Sequence, residues 1–204
     1  MITIIDYGMG NLKSVQKAFT KVGIDSLISS KPSDIDNASA VVLPGVGAFR
    51  DCVSNLGKLG LADSIYRAIE QGKPYLGICL GLQILFGESE EFGASSGLGF
   101  FEGSVIRFRG NGLKIPHMGW NNVKLKKRPP LFNNIEDNGY FYFVHSYYVK
   151  PDDPSIITGI TTYGAEFTSM IWKDNIVATQ FHPEKSQRLG LKILKNFGEF
   201  VKKA

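Results

Sequence analysis

The sequence predicts one mixed α/β domain over residues 1–204, parallel in its first half and extended by an antiparallel β portion in its second. Three observations lead there. Short apolar runs alternate with helical stripes as far as residue 79, the pattern of βαβ units around a parallel sheet. Beyond residue 104, β-rich segments succeed one another with turn residues between them, as in antiparallel pairing. The chain closes on a single amphipathic helix, and no repeat, low-complexity tract or flexible linker divides it.

Taken in order, "ITIID" opens as a strand. "NLKSVQKAFTKVG" follows as a helix, with Leu12, Val15, Ala18, Phe19 and Val22 on one face and Gly23 stopping it. "SLISS" and "SAVVLPG" read as buried strands, "FRDCVSNLG" and "LADSIYRAIEQG" as helices, and "PYLGIC" as a strand running into a helix near Leu80. The second half offers "SVIRF", "WNNVKL", "YFYFVHSYYV", "SIITGITTY", "EFTSMIW" and "NIVATQFH" as strands. The last helix carries its stripe through Leu189, Ile193, Phe197, Phe200 and Val201, with lysines in the final turn where they suit the helix dipole.

With 204 residues and 43% hydrophobic content the chain can bury a full core without covalent staples. Its two cysteines form no CxxC and no Cys/His cluster, which argues against a disulfide framework or structural zinc and fits a reducing compartment. "MITIIDYGMGN" shows no basic leader, and no later run is long enough to cross a bilayer, so the expectation is a soluble, cytoplasmic protein. The net charge of +4 and the basic run "KLKKRPP" raise the question of nucleic acid. Without an aromatic-interleaved RNA motif or a helix-turn-helix pattern, that run reads as a solvated loop.

The chemistry concentrates in "PYLGICLGLQILFG". Cys79 stands where strand gives way to helix, with Gly77 and Gly81 two positions to either side. A residue at such a turn needs small neighbours, and the GxSxG elbow presents its nucleophile in the same way. Helix amides beyond Leu80 would favour the thiolate. Spacing alone leaves two roles open for Cys79, nucleophile or buried structural thiol; Cys52, without flanking glycines, reads as structural. A thiol nucleophile needs a base and a group to orient it. Of three histidines only His182 has a carboxylate within reach, Glu184, because positions two apart in an extended segment share a side. His117 and His145 lack such a partner. The "LPGVGAF" turn ends a strand at the same sheet edge, and its Val46 and Gly47 amides, with that of Leu80, are candidates for the oxyanion site.

"GICLGLQ" and the late "HPE" together resemble the motifs of the class I glutamine amidotransferases, in the same chain order. "IDYGMGNLKSV", "LPGVGAF", "PHMGWN" and "FVHSYY" extend the resemblance over essentially the whole chain and narrow it to glutaminase subunits of imidazole glycerol phosphate synthase. The resemblance implies a flavodoxin-like amidotransferase fold and glutamine hydrolysis through a thioester on Cys79. In it His182 is the acid and base and Glu184 its orienting partner. It further implies glutamine contacts at Gly45, Gln83, Ser146 and Tyr147, with no metal and no organic cofactor. It also implies a partner, a cyclase subunit built as a (β/α)8 barrel, which uses the ammonia to form imidazole glycerol phosphate and AICAR in histidine biosynthesis. The residues bear on that partner too. A chain with a glutaminase-like site but no acceptor domain would lose its ammonia unless something docks over it, and Asn11, Met118, Trp120 and Asn121 are candidate docking residues. Three rivals stay open: the glutaminase of another amidotransferase such as anthranilate synthase, a stand-alone cysteine hydrolase of related fold, and a noncatalytic binding module.

Overall fold

The computed structural model describes residues 1–110 and 112–204. The first strand, β1 (Ile2–Ile5), is buried along its whole length, as a strand covered on both faces must be. Helix α1 (Leu12–Lys21) buries Val15, Ala18 and Phe19, and the Asn11 side chain caps it by accepting the Ser14 N–H at 3.4 Å. Next come β2 (Ser26–Ser29) and a five-residue helix, α2 (Pro32–Asp36), which the sequence reading did not anticipate. Strand β3 (Ala40–Gly45) leads into α3 (Phe49–Lys58) and α4 (Leu61–Glu70), and β4 (Tyr75–Cys79) returns to the sheet, with β3 and β4 wholly buried. β1 pairs in parallel with β2 and β3, and β3 with β4.

The helix after β4, α5, is one turn only, Leu80–Gln83. The helix expected near Leu80 is present, and the thiol faces the free amides of this single turn. The chain then re-enters extended structure as β5 (Phe86–Ser89) and β6 (Ser95–Ser96), which the sequence pattern does not signal, and β7 (Phe101–Arg107), which contains most of the expected strand "SVIRF". Gly97 permits this doubling back, because a Cβ there would strike the Phe86 carbonyl oxygen.

Strands β8 (His117–Leu125) and β9 (Gly139–His145) form an antiparallel hairpin; β10 (Tyr147–Pro151), β11 (Ile157–Tyr163) and β12 (Ala165–Lys173) follow. The run "YFYFVHSYYV" is thus two strands, divided at Ser146, since β9 pairs with β8 while β10 pairs with β7 and β12. Finally β13 (Ile176–Thr179) and α6 (Gln187–Val201) complete the chain.

Strand order is β2-β1-β3-β4-β13-β12-β10-β7-β5-β6, with β11 bridging β12 to the β8–β9 hairpin. The antiparallel expectation holds through most of the second half, with two exceptions. β13 lies antiparallel to β12 but parallel to β4, and β5 runs parallel to β7. β13 is buried at every position, which is the pattern of a central strand and places the end of the chain beside Cys79. Alternate residues of β1, β3 and β4 feed two cores, one under α3 and α4 and one under α1 and α6, where Phe19 meets Phe197.

Candidate active site

Cys79 holds φ 54° and ψ −103°, a left-handed conformation that a non-glycine residue adopts only under constraint. Its glycine neighbours are there for the backbone. A Cβ on Gly77 would sit 2.5 Å from the Gly81 carbonyl oxygen and 2.9 Å from Ala178 Cβ, and a Cβ on Gly81 would overlap the Leu43 carbonyl oxygen. The spacing that singled out Cys79 therefore encodes the close packing of β3, β4, α5 and β13 around a bent strand end.

β13 runs alongside β4 with Thr179 opposite Ile78, so its continuation carries Gln180, Phe181 and His182 to the same sheet edge. His182 donates its backbone N–H to the Tyr142 carbonyl at 2.9 Å, and its own carbonyl accepts from Ser186 Oγ at 2.6 Å. Nδ1 lies 2.8 Å from Glu184 Oε1, with both side chains 2% exposed. The expected i, i+2 pairing is present, formed as the chain enters a short turn at Pro183–Lys185. That contact orients the ring and leaves Nε2 without a hydrogen-bond partner among the described residues. Burial works against charge on this imidazole, but the Cys79 sulfur and then Glu184 outweigh it and raise its pKa to about 10. Since no hydrogen bond of ordinary geometry reaches Nε2, proximity of the sulfur's charge accounts for the rise better than a formed Cys–His bond. The sulfur accepts one identified contact, from Gln180 Nε2 at 3.5 Å.

In front of the thiol lies a cavity of about 260 Å³, small for a ligand site and suited to a single amino acid. Val46, Gly47, Leu80, Gln83, Ser146 and Tyr147 line it with Cys79, so the predicted oxyanion turn and most of the predicted substrate contacts converge on one space. The Leu80 N–H, at the first position of α5, has no intrahelical acceptor. Gly47 takes φ 103°, which leaves the amide on either side of it able to turn toward the cavity. Gly45 is not among the lining residues. It lies opposite Cys79 in the β3–β4 register, where a Cβ would come within 2.5 Å of the Tyr7 hydroxyl and 2.7 Å of Leu80 Cβ. Gln83 uses its Nε2 for the Tyr147 carbonyl (2.9 Å) and Gln180 Oε1 (3.1 Å), so what it retains for a ligand is its carbonyl oxygen.

Glu91 and Gln180 are polar residues of the site that the sequence pattern does not signal. Glu91 lines the cavity and accepts the Phe49 N–H at 2.7 Å, serving as the carboxylate at the start of α3, where Ala48 offers no side-chain cap. Gln180 stands two positions before His182, and its role appears only once β13 is placed beside β4. The candidate docking residues divide. Asn11 is exposed at the start of α1, and Met118 and Trp120 are 61% and 46% exposed. Asn121 turns inward to the Thr162 carbonyl (2.9 Å), as strand alternation requires of a neighbour of outward Trp120.

The family model for class I glutamine amidotransferases matches residues 3–200. The chain belongs to that family. A protein of Geobacter sulfurreducens named imidazole glycerol phosphate synthase subunit HisH is 56% identical over 204 residues, covering 97% of this chain and 98% of its own. A protein of the same name from Methanocaldococcus jannaschii is 50% identical, covering 98% of this chain and all of its own. A crystal structure of a glutamine amidotransferase superposes with a TM-score of 0.77 at 16% identity, over 99% of this chain and 100% of that one. The glutaminase domain of Trypanosoma brucei CTPS, solved with bound acivicin, gives 0.73 at 16%, over 99% of this chain and 93% of that one. At such identities these two structures establish the shared fold. As a class I glutamine amidotransferase the chain is an enzyme of glutamine-amide chemistry, on the mixed α/β scaffold described above.

Proposed function

We propose that this amidotransferase is the glutaminase subunit of an imidazole glycerol phosphate synthase and works through Cys79, His182 and Glu184. The observation that carries the reading is the strained Cys79 elbow facing a buried imidazole that is itself held by a carboxylate. The Cys79 sulfur, its proton already held on His182 Nε2, attacks the side-chain carbonyl carbon of glutamine. The oxyanion forms against the amides of Leu80 and the Val46–Gly47 turn. His182 returns the proton to the leaving nitrogen, the C–N bond breaks, and ammonia departs from a γ-glutamyl thioester. Water then attacks the thioester, giving its proton to His182; the C–S bond breaks, glutamate leaves and the Cys79–His182 pair is restored. Glu184 keeps Nδ1 occupied throughout, so only Nε2 exchanges protons.

The ammonia passes to a (β/α)8-barrel cyclase subunit that forms imidazole glycerol phosphate and AICAR in the histidine pathway of the cytoplasm. High identity to proteins named as HisH subunits over nearly full length supports this assignment. So does the outward face of the β8–β9 hairpin. Met118, Trp120 and Tyr140 are exposed there, with Lys185 over the Tyr142 ring at 5.7 Å, an aromatic and basic patch adjoining the turn that holds Glu184. The decisive experiment combines the chain with the cyclase subunit and follows glutamate and imidazole glycerol phosphate. Wild type is expected to couple the two, and Cys79→Ala to abolish glutamate formation while the pair still runs on added ammonium. Substantial hydrolysis by Cys79→Ala refutes the thioester; hydrolysis without complex formation refutes the partner.

A further inference from the structure

Two buried histidines take no part in that chemistry, and they are joined to each other. His117 Nδ1 lies 2.9 Å from His145 Nε2, His145 Nδ1 lies 2.8 Å from the Tyr147 carbonyl, and Asn121 Nδ2 lies 3.2 Å from His117 Nε2. A carbonyl only accepts, so His145 holds a proton on Nδ1. The Asn121 amide is fixed with its nitrogen toward both His117 and the Thr162 carbonyl, because its oxygen accepts the Asn122 N–H at 2.9 Å. His117 Nε2 therefore accepts, and its Nδ1 donates to His145 Nε2. One proton per ring satisfies every contact in a single direction. Burial favours the same neutral state, lowering His117 to about 4 and His145 to about 3.

The line does not stop at Tyr147. Its carbonyl also accepts from Gln83 Nε2 at 2.9 Å, Gln83 donates to Gln180 Oε1 at 3.1 Å, and Gln180 Nε2 is the donor 3.5 Å from the Cys79 sulfur. We propose that Asn121, His117 and His145 are positioning residues, a neutral relay that fixes the Tyr147 carbonyl and, through Gln83 and Gln180, the hydrogen-bond donor on the nucleophile. The relay starts on β8, whose opposite face presents Met118 and Trp120. It therefore ties the outward face of that hairpin to the thiol. The inference rests on the glutaminase reading for its catalytic consequence, but not for the hydrogen-bond arrangement itself.

The test uses three substitutions in the full chain. His117→Phe keeps the ring stacked between Phe143 and Tyr163, at 4.8 and 4.1 Å centroid separation, and removes both hydrogen bonds. His117→Gln restores a donor and an acceptor. Asn121→Ala, at a half-buried site, leaves the His117–His145 bond in place and removes the first donor, together with the Asn121 contacts to the Thr162 carbonyl and the Asn122 N–H. The readouts are the ring tautomers by nitrogen NMR at pH 7, the rate of Cys79 alkylation by iodoacetamide, and kcat and KM for glutamine with the cyclase subunit present. Expected are Nδ1–H tautomers of both rings in wild type. Alkylation and kcat should fall about fivefold in His117→Phe, the scale of one neutral hydrogen bond, recover in His117→Gln and fall less in Asn121→Ala. Wild-type alkylation in His117→Phe, equal loss in the Gln and Phe variants, or an Nε2–H tautomer at His145 overturns the relay. A failed glutaminase reading would appear instead as absent hydrolysis by the wild-type complex, with the tautomer and alkylation results still standing.

Discussion

Replacing Gly81 by alanine puts the architecture of the elbow to a quantitative test. The new Cβ would overlap the carbonyl oxygen of Leu43, which sits inside β3 opposite Gly77 of β4 and cannot rotate aside as a flexible side chain could. Relief has to come from α5 moving off β3, and Leu80 and Cys79 move with it. Overpacking of this kind costs about 1–3 kcal/mol, which at roughly 2–4 °C per kcal/mol for a chain of this size lowers Tm by about 2–12 °C. The loss of activity should be larger in proportion, because a displacement of about 1 Å at reacting atoms costs on the order of 10²-fold. Gly57→Ala is the matched control. It lies within α3, its Cβ would meet nothing within 4 Å, and alanine favours a helix over glycine by about 0.5–1 kcal/mol. Thermal melts and glutaminase rates of the partnered enzyme measure both variants. A Gly81→Ala enzyme with wild-type Tm and wild-type kcat would refute the claim that close backbone packing sets the thiol's position.

Three further outcomes are expected. His182→Asn should slow hydrolysis by about 10²–10⁴, the range of a lost general acid–base, and Glu184→Gln by less, because it only orients the ring; pre-steady-state trapping of the labelled thioester ranks the two, and a greater loss at Glu184 contradicts the roles. The turn through Gly45, Val46 and Gly47 should complete the oxyanion site only when the partner binds its own substrate. One missing donor is worth about 2.7–4 kcal/mol, roughly 10²–10³ in rate, so glutaminase rates of the free, partnered and ligand-loaded forms should differ by at least that order, and three equal rates exclude the gating. Lastly, Cys79→Ala should lower the pKa of His182 below its wild-type value of about 10. Without the sulfur, burial pulls the ring down and Glu184 alone opposes it. Titration of the ring by NMR checks this, and an unchanged midpoint refutes the pairing.

The parts of the site that could be read from the sequence are those fixed by local geometry. Glycines two positions from Cys79 mark a backbone collision, and the i, i+2 spacing of His182 and Glu184 marks a shared side of an extended chain. What could not be read depends on which strands become neighbours. "NIVAT" reads with the antiparallel strands around it, although its unbroken apolar run suits a buried parallel strand and it is one against β4. The break at Ser146 was hidden because aromatic residues continue across it while the pairing partners change. Glu91 at the head of α3 and Gln180 at the sulfur carry no local signal at all, since each acts on a residue remote in sequence. Asn121 reads as a docking candidate beside Met118 and Trp120, yet alternation from outward Trp120 turns it in.

The insertion of β13 beside β4 also bears on how the protein comes into being. Gln180 and Cys79 are 101 positions apart, and β5 through β12 all lie between their strands in the chain. Contacts of such long sequence separation form late, because the intervening loop must be closed before they stabilise anything. The thiol at the end of β4 is therefore synthesised well before the imidazole that must serve it. A nascent or half-folded chain holds a nucleophile without a base, and glutamine is protected from it until the final strand has threaded into the middle of the sheet.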